Sequence, residues 1–307
     1  MKIEDFWTPF ETEIDSFDKL VKVINKISDK SRKKNTRFAW RGLSDASWAL
    51  HSSLYRRLAL TKGKNLDEAE LYKEEHRILV NLHQWGLHSP IREGRLSVMN
   101  QLAMLQHYGA PTRLIDITFN AWIGCWFAVE EKWHNGEKVF EDKDARLFAI
   151  DVTDRLINEN GDYRCWEDDL HTPWGDSSSS KIELKNWRSS VFAWKPPSLD
   201  ARIAAQNGAF IFGGVAGSPF QFPKGGGGNW NLDEGRTACC LALRPHKFET
   251  FRGGASSGAL YTFRIKSDVK VEIRERLEKV FGYTHSTIYP DFTGFSNFAT
   301  PHLKTNP

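Results

Sequence analysis

Short strand-like segments and amphipathic helical segments are mixed irregularly along this chain of 307 residues, and this mixture constrains the fold most strongly. Apolar residues at helical spacing predict helices over 14–30, 66–86, 95–107, 120–133 and 268–281. Asp15 or Ser16 is expected to cap the first of these helices, Ser267 to cap the last, and Gly282 to end it. Short apolar and aromatic runs predict strands over 37–42, 112–117, 145–152, 208–213 and 259–266. Because a strict alternation of strand and helix is missing, the pattern predicts an α+β protein, a mixed sheet with flanking helices.

The chain is expected to form a single domain over residues 1–307, with twelve Trp and twenty Phe residues available for its core. Residues 155–200 lack periodicity, contain the serine run 177–180 and predict an irregular insertion. Residues 223–258 predict a glycine-rich loop region, and the four consecutive glycines at 225–228 predict a mobile tip.

Composition narrows the classes of function. Lys plus Arg number 42 and Asp plus Glu number 39, so the net charge is only +3 and the pI is about 8.6, below the values typical of nucleic-acid-binding domains. No apolar run is long enough to span a membrane, and the first ten residues contain no apolar signal core. We therefore expect a cytoplasmic protein that does not use a membrane. The four cysteines form no CxxC pair, which argues against a metal site.

The first candidate for a functional site is the sequence Trp40-Arg41-Gly42, at the end of a predicted strand. A guanidinium group presents a planar fork of donors that matches phosphate or carboxylate oxygens. The alternative is a structural arginine paired with Asp45 or Asp116.

The second candidate is the polar segment 106–118, which lies between two apolar helices. A turn at Gly109 and Pro111 would let its polar side chains converge near the next helix. These side chains belong to His107, Thr112, Arg113, Asp116 and Thr118. Either Thr118 or Asn120 is expected to cap that helix, whose N-terminus would suit a diphosphate. The alternatives are a His107 bonded to the backbone and a buried pair of Arg113 with Asp116.

Two further segments are weaker candidates. Gln206 lies at a turn before an apolar strand, where its amide could serve a ligand or only the loop backbone. Residues 286–292 form an extended segment with one proline, and they could also be a tail that covers the core.

Together the four segments resemble the FRG-domain family, which is named for an aromatic-Arg-Gly motif. The similar segments are FAWRGLSDASWALHSSLYRR (38–57), QHYGAPTRLIDITFNAWIGCWFAVE (106–130), ARIAAQNGAFIF (201–212) and THSTIYPDFTGFSNF (284–298). Trp40 stands where the family usually has Phe or Tyr. The resemblance implies a bacterial or phage-linked domain whose activity is mostly uncharacterised.

The order of the segments also resembles, more distantly, the ADP-ribosyltransferases. That resemblance implies an ADP-ribosyltransferase-like fold, with Arg41 at the first motif, Thr118 at the second and Gln206 at the position of the late acidic residue. A glutamine can neither act as a base nor stabilise a cationic centre by charge. Either another carboxylate takes the place of this residue, or the fold binds a nucleotide without catalysing its cleavage. The carboxylates that could replace it are those of Glu130, Asp116 and Asp291.

The resemblances imply an NAD-using toxin or phage-defence enzyme. The residues implied in catalysis are Arg41, Asp116, Thr118 and Gln206. The residues implied in holding NAD are Arg41, Gly42, His107, Tyr108, Arg113, Thr118 and Asn120. An antitoxin or another defence-system component is the implied protein partner, and the target stays open. Two alternatives remain, a non-catalytic module that binds nucleotides or nucleic acids through Trp48, Trp174 and Trp230, and a phage-sensing interaction domain.

Overall fold

A mixed sheet forms the centre of the computed structural model, which describes residues 1–89, 94–175, 183–197, 201–250 and 258–303. The strands are β1 (Glu11–Ile14), β2 (Phe38–Leu43), β3 (Ile115–Thr118), β4 (Lys132–His134), β5 (Glu137–Val139), β6 (Ala145–Asp151), β7 (Phe192–Trp194), β8 (Gly208–Phe212), β9 (Phe222–Pro223), β10 (Asn229–Trp230), β11 (Arg244–Pro245) and β12 (Ala259–Ile265). The helices are α1 (Ile3–Trp7), α2 (Phe17–Lys34), α3 (Ser53–Lys62), α4 (Glu68–Gln84), α5 (Val98–His107), α6 (Ala121–Val129), α7 (Leu184–Trp187), α8 (Ala201–Ala205), α9 (Leu232–Ala238), α10 (Lys270–Phe281), α11 (His285–Ile288) and α12 (Phe292–Gly294).

The main sheet has the strand order β1-β12-β6-β2-β3-β8-β7, and β11 also pairs with β12. The pairs of β12 with β1 and with β11 are parallel, and the other pairs in this sheet are antiparallel. Two small hairpins, β4–β5 and β9–β10, lie outside it. This arrangement confirms the predicted α+β class with a mixed sheet.

Helices cover both faces of the sheet, because successive side chains of a strand point to opposite sides. On β2, Phe38 and Trp40 face a core built with α2, α6 and α10. Ala39 and Leu43 face the opposite core, to which α1, α3 and α9 contribute. Among the described residues, no helix is both long and apolar enough to cross a membrane.

Local signals predicted some helix ends and missed others. Ser16 caps α2 by accepting a hydrogen bond from the Lys19 amide, and Gly282 ends α10 in the left-handed conformation, as predicted. The prediction that Ser267 caps α10 is wrong. A short 3-10 turn over Ser267–Val269 precedes that helix, which starts at Lys270.

The segment expected to be an irregular insertion contributes to the core. Its β7 extends the sheet beyond β8, and four of its tryptophans are buried. These are Trp166, Trp174, Trp187 and Trp194. The predicted serine run at 177–180 lies outside the described residues. The expected glycine-rich loop region contains regular elements as well, namely β10, α9 and β11.

Candidate functional site

A cavity of about 350 Å³ opens where β2 and β3 separate, and we call it the cleft. Arg41, Thr118 and Gln206, which come from three distant parts of the chain, all line it. Further walls come from the end of α6, from α5 and from Tyr289 near the C-terminal end. Asp116 lines the cleft as well, so the structure brings together all four residues that the resemblance implied in catalysis.

The cleft exists because β2 and β3 pair at a single position, Trp40 with Thr118. An antiparallel ladder continued from that pair would set Gly42 opposite Asp116, but the described pairing stops before this point. Instead, Nη1 of Arg41 donates a hydrogen bond to the backbone oxygen of Asp116 at 2.6 Å. The prediction that Arg41 lies at the strand end is therefore wrong. Arg41 lies inside β2, at the place where the neighbouring strand leaves it.

Arg41 is only weakly neutralised. Its side chain is 22% exposed, and its nearest carboxylate oxygen, on Asp116, is 3.7 Å from Nη1 and belongs to a side chain that is 59% exposed. Burial lowers the pKa of Arg41, Asp116 partly offsets this, and the nearby charge of Arg56 lowers the pKa further. Nε of Arg41 is buried and has no acceptor in the described part of the chain. An anion in the cleft would compensate this guanidinium group.

Arg56 adds a second positive charge to the cleft, which it lines from α3. Its side chain is exposed, and its guanidinium forms no ion pair with any described residue. The guanidinium groups of Arg41 and Arg56 thus line one cavity beside the exposed carboxylate of Asp116. This combination favours a ligand that carries negative charge.

Gly42 has a structural role that explains its place beside Arg41. A Cβ atom at this position would collide with the backbone of α6, at the oxygen of Gly124 and the nitrogen of Ala128. Gly124 in turn lies against the Cβ of Trp40. The two glycines let β2 and α6 approach closely, and this contact sets the wall of the cleft.

Thr118 and Gln206 are already committed to bonds within the protein. The Thr118 hydroxyl donates to the backbone oxygen of Gln206 at 2.7 Å and accepts from the Asn120 amide at 3.0 Å. Nε2 of Gln206 donates to the backbone oxygen of Ile288 at 3.0 Å. Both residues therefore hold the wall of the cleft together, whatever else they contact.

Glu130 is the buried carboxylate of the cleft. It follows the last residue of α6, is 3% exposed and lines the cavity. The Tyr289 hydroxyl donates to its Oε2 at 3.0 Å, and Nζ of Lys132 lies 2.7 Å from its Oε1. Burial and the charge of Glu130 raise the pKa of Tyr289 well above its usual value, so the phenol stays protonated and can keep donating.

The other two carboxylates considered from the sequence are placed differently. Asp116 lines the cleft but is exposed, and both its oxygens accept from Nε2 of Gln106, at 3.3 and 3.2 Å. Asp291 does not line the cleft. It forms a two-point pair with Arg202, at 2.6 and 2.7 Å, and this pair attaches the segment after α11 to α8. Glu130 is therefore the best-placed candidate for an acid in this site.

Three residues predicted to hold a ligand lie outside the residues that line the cleft. Tyr108 is 80% exposed. Asn120 caps α6 by accepting from the Trp122 amide, and its own amide donates to the hydroxyl of Tyr283. The cleft meets α6 at Phe127, near its C-terminal end, so the phosphate site predicted at its N-terminus does not coincide with the cleft and stays a prediction.

Arg113 is the third, and the prediction that it lines the pocket is wrong. It is 1% exposed, and its Nε and Nη1 donate to Glu75 at 2.6 Å and to Glu68 at 3.2 Å. The predicted alternative, a pair with Asp116, is wrong as well. His107, by contrast, does line the cleft. Trp174, a predicted stacking surface, is buried beside Arg113.

Residues that the sequence argument did not single out complete the cleft. Among them are Arg56, Gln106, Lys132, Arg202 and Tyr289. Most of them lie inside or next to the four similar segments, so their position in those segments was the available signal. Only their spatial convergence separates them from neighbours such as Arg57, which donates to Gly109 outside the cleft.

A comparison with family models matches residues 36–137 to the FRG domain. The chain therefore carries an FRG domain, which confirms the family resemblance. No curated protein and no solved structure matches the chain significantly. The matched range contains Arg41, Asp116 and Glu130, whereas Gln206 and Tyr289 lie beyond it. The cleft is thus built jointly by the matched region and the rest of the chain.

Proposed function

We propose that this FRG-domain protein binds NAD in the cleft and cleaves it, transferring the ADP-ribosyl group to an acceptor. The observation that carries the proposal is that Arg41 and the buried Glu130 line the same cavity. This chemistry needs two protein groups that contact the same ligand, a cation that binds its phosphates and a carboxylate. The proposal keeps NAD from the distant resemblance, replaces Gln206 by Glu130 as the acidic group, and gives Thr118 and Gln206 supporting roles in the wall.

The charges of the cleft suit the two ends of such a substrate. Arg41 and Arg56 would bind the diphosphate, whose oxygens match the donors of a guanidinium group. Glu130 would lie beside the ribose, oriented by the hydroxyl of Tyr289 and by Lys132. When the bond between C1′ and the nicotinamide nitrogen breaks, both electrons leave with nicotinamide, and positive charge develops on the ribose. A fixed carboxylate stabilises that charge, and the acceptor then attacks C1′ and loses its proton.

The test measures binding and chemistry separately. Calorimetry with NAD would be performed on wild type, Arg41→Ala and Glu130→Gln, and nicotinamide release and transfer of label from NAD would be measured in parallel. We expect Arg41→Ala to weaken binding by at least about tenfold, which is the loss of one charged hydrogen bond. Glu130→Gln is expected to keep binding and to slow release by about a hundredfold or more.

Two exposed residues on α10 provide matched controls, Arg276→Ala for the arginine and Glu275→Gln for the glutamate. Both controls should behave like wild type. The proposal is wrong if the purified wild-type protein neither binds NAD nor releases nicotinamide from it. A role as a toxin or as a phage-defence effector stays a prediction from the family resemblance.

A second candidate is a module that binds a nucleotide without cleaving it. The observation that favours it is the commitment of Thr118, Gln206 and Glu130 to internal partners, with Glu130 neutralised by Lys132. This candidate predicts that ADP and ADP-ribose bind as tightly as NAD and that no nicotinamide is released. Arg41→Ala should then weaken all three ligands equally, whereas Glu130→Gln should have little effect.

A further inference from the structure

The glycine run that the sequence predicts as a mobile tip forms the turn of the β9–β10 hairpin. Its Lys224 amide donates to the Gly228 oxygen at 3.0 Å, and Gly226, Gly227 and Gly228 all have positive φ angles. Only glycine adopts that conformation readily three times in succession. Gly225 packs so closely on Pro9 that a Cβ atom there would collide with the proline ring. The run therefore has a defined shape and a defined contact.

Beside this turn lies a hollow of about 580 Å³, which we call the basic hollow. Its basic side chains are Lys224 from the turn and Arg244, His246 and Lys247 from β11 and the residues after it. No Asp or Glu occurs among the described residues that line it. Positive charge is thus concentrated in the hollow, although the whole chain has a net charge of only +3.

Aromatic rings position two of these cations without neutralising them. The Arg244 guanidinium lies 4.9 Å from the centre of the Phe220 ring, and Nζ of Lys224 lies 4.4 Å from that of Trp230. Neither cation forms an ion pair with a residue in the described ranges. A cation held over a ring keeps its full charge and loses little freedom on binding a ligand, which favours contact with an anion.

His246 lies in the same hollow. Burial lowers its pKa, and the charge of Arg244 lowers it further. Its Nε2 is buried and has no hydrogen-bond partner among the described residues. The amides of Gly225 and Gly226, which also line the hollow, donate to no described acceptor. These two amides add unused donors to the positive charge of the hollow.

We infer that the basic hollow binds the sugar–phosphate backbone of a single nucleic-acid strand. Its cations come from two separate chain segments, and side chains two positions apart on an extended segment such as Arg244 and His246 are about 6.5 Å apart. A chain of phosphates can contact cations of both segments at once and so can contact more of them than a single phosphate can. Because Phe220 and Trp230 are covered by their own cations, base stacking is not provided, so recognition should be independent of base sequence.

The test is fluorescence anisotropy with a labelled single-stranded oligonucleotide of mixed sequence, at low and moderate salt and without NAD. The variant is Lys224→Gln combined with Arg244→Gln, and the control is Lys279→Gln combined with Arg276→Gln, which removes the same charges from the exposed face of α10. We expect the variant to bind at least about tenfold more weakly at low salt. Its logarithmic salt slope should fall by about 1.4, or about 0.7 for each lost phosphate contact, while the control behaves like wild type.

Three further measurements keep the inference falsifiable. Lys224 is exposed, so Lys224→Gln alone should fold normally and show about half of the change in salt slope. Inorganic phosphate at millimolar concentration should not displace the oligonucleotide. Arg41→Ala should bind it like wild type, which separates this inference from the proposed NAD site. The inference is overturned if wild type does not bind the oligonucleotide at low salt, if variant and control weaken equally, or if inorganic phosphate competes fully.

Discussion

Arg41 and Arg113 lie 72 positions apart in the same matched domain, but their environments are opposite. Arg113 is enclosed. It pairs with Glu75 and Glu68, donates to the Gly213 oxygen at 3.1 Å, and lies beside the stacked rings of Trp174 and Trp187. Burial lowers its pKa, but the two carboxylates outweigh burial and raise the pKa overall.

Arg41 is also largely buried, but in its case burial outweighs the nearby carboxylate. Its pKa is lowered, because burial and Arg56 outweigh the one exposed carboxylate nearby. The difference teaches how to separate a structural arginine from a binding arginine. The charge of a structural arginine is neutralised by carboxylates inside the protein. A binding arginine lacks such partners on the side that opens to a cavity.

The largest expected effect tests the enclosed arginine. Arg113→Gln leaves Glu68 and Glu75 buried without their cation, so we expect a loss of about 3–5 kcal/mol in the free energy of unfolding. Urea denaturation measures this loss, with Arg276→Gln on the surface as control. A change below about 1 kcal/mol would contradict the comparison, since Arg113 would then be no more structural than a surface arginine.

Gly42 tests the wall of the cleft. In Gly42→Ala the new methyl group meets the backbone of α6, so we expect a loss of about 1–3 kcal/mol in stability and weaker NAD binding, because β2 must move. Gly161→Ala is the matched control, since a Cβ atom at Gly161 has nothing within 4 Å. Equal stability of the two variants by thermal unfolding would show that the close contact is not needed.

Acid pH tests the scaffold behind the cleft without changing the charge of either arginine. Nε2 of His51, just before α3, bonds to the backbone oxygen of Arg236 at 2.7 Å, and burial lowers the pKa of His51 from 6.5 to about 4. The unfolded chain therefore takes up this proton at higher pH than the folded one does. The contribution of His51 to stability should be full above about pH 6.5 and should fall by up to about 3 kcal/mol as the pH drops to about 4.

Urea denaturation at several pH values between 7 and 4, on wild type and on His51→Gln, isolates this contribution. The variant should lose less stability than wild type over the same interval. Identical pH profiles would assign the acid sensitivity to other groups.

The smallest expected effect on stability is that of Arg41→Gln. Its carboxylate partner is distant and exposed, so we expect a change within about 1 kcal/mol, mostly from the lost hydrogen bond to the Asp116 backbone oxygen. Chemical denaturation checks this value beside that of Arg113→Gln. If both variants were equally destabilised, Arg41 would also be a structural residue and the proposed NAD site would lose its central cation.

Periodicity and composition predicted the class of the fold because they report local and average properties. The pattern of apolar residues indicated α2 and α10, and turn chemistry indicated Ser16 and Gly282 as their ends. The strand β7 was missed because Phe192–Trp194 is too short to show a period and is followed by prolines. Its place is decided by pairing with β8, which is a long-range property.

The site was predicted in part for the same reason. The similar segments indicated Arg41, Asp116, Thr118 and Gln206, and the structure places all four on the cleft. Arg113 was misassigned because its partners lie about 40 positions earlier, on a helix whose Glu75 reads as a solvated residue and is in fact 1% exposed. No local pattern distinguishes that glutamate from its exposed neighbours, since only the tertiary contact buries it.

The interrupted pairing of β2 and β3 has a mechanical consequence. Adjacent strands normally satisfy each other's main-chain groups, but here a side chain, that of Arg41, serves the Asp116 carbonyl. Because only Nη1 is used, the remaining donors of the guanidinium can grip an anion while that bond persists. A bound anion would then stabilise the contact between β2 and β3 where their pairing is interrupted. Ligand binding would therefore raise the melting temperature of the whole domain.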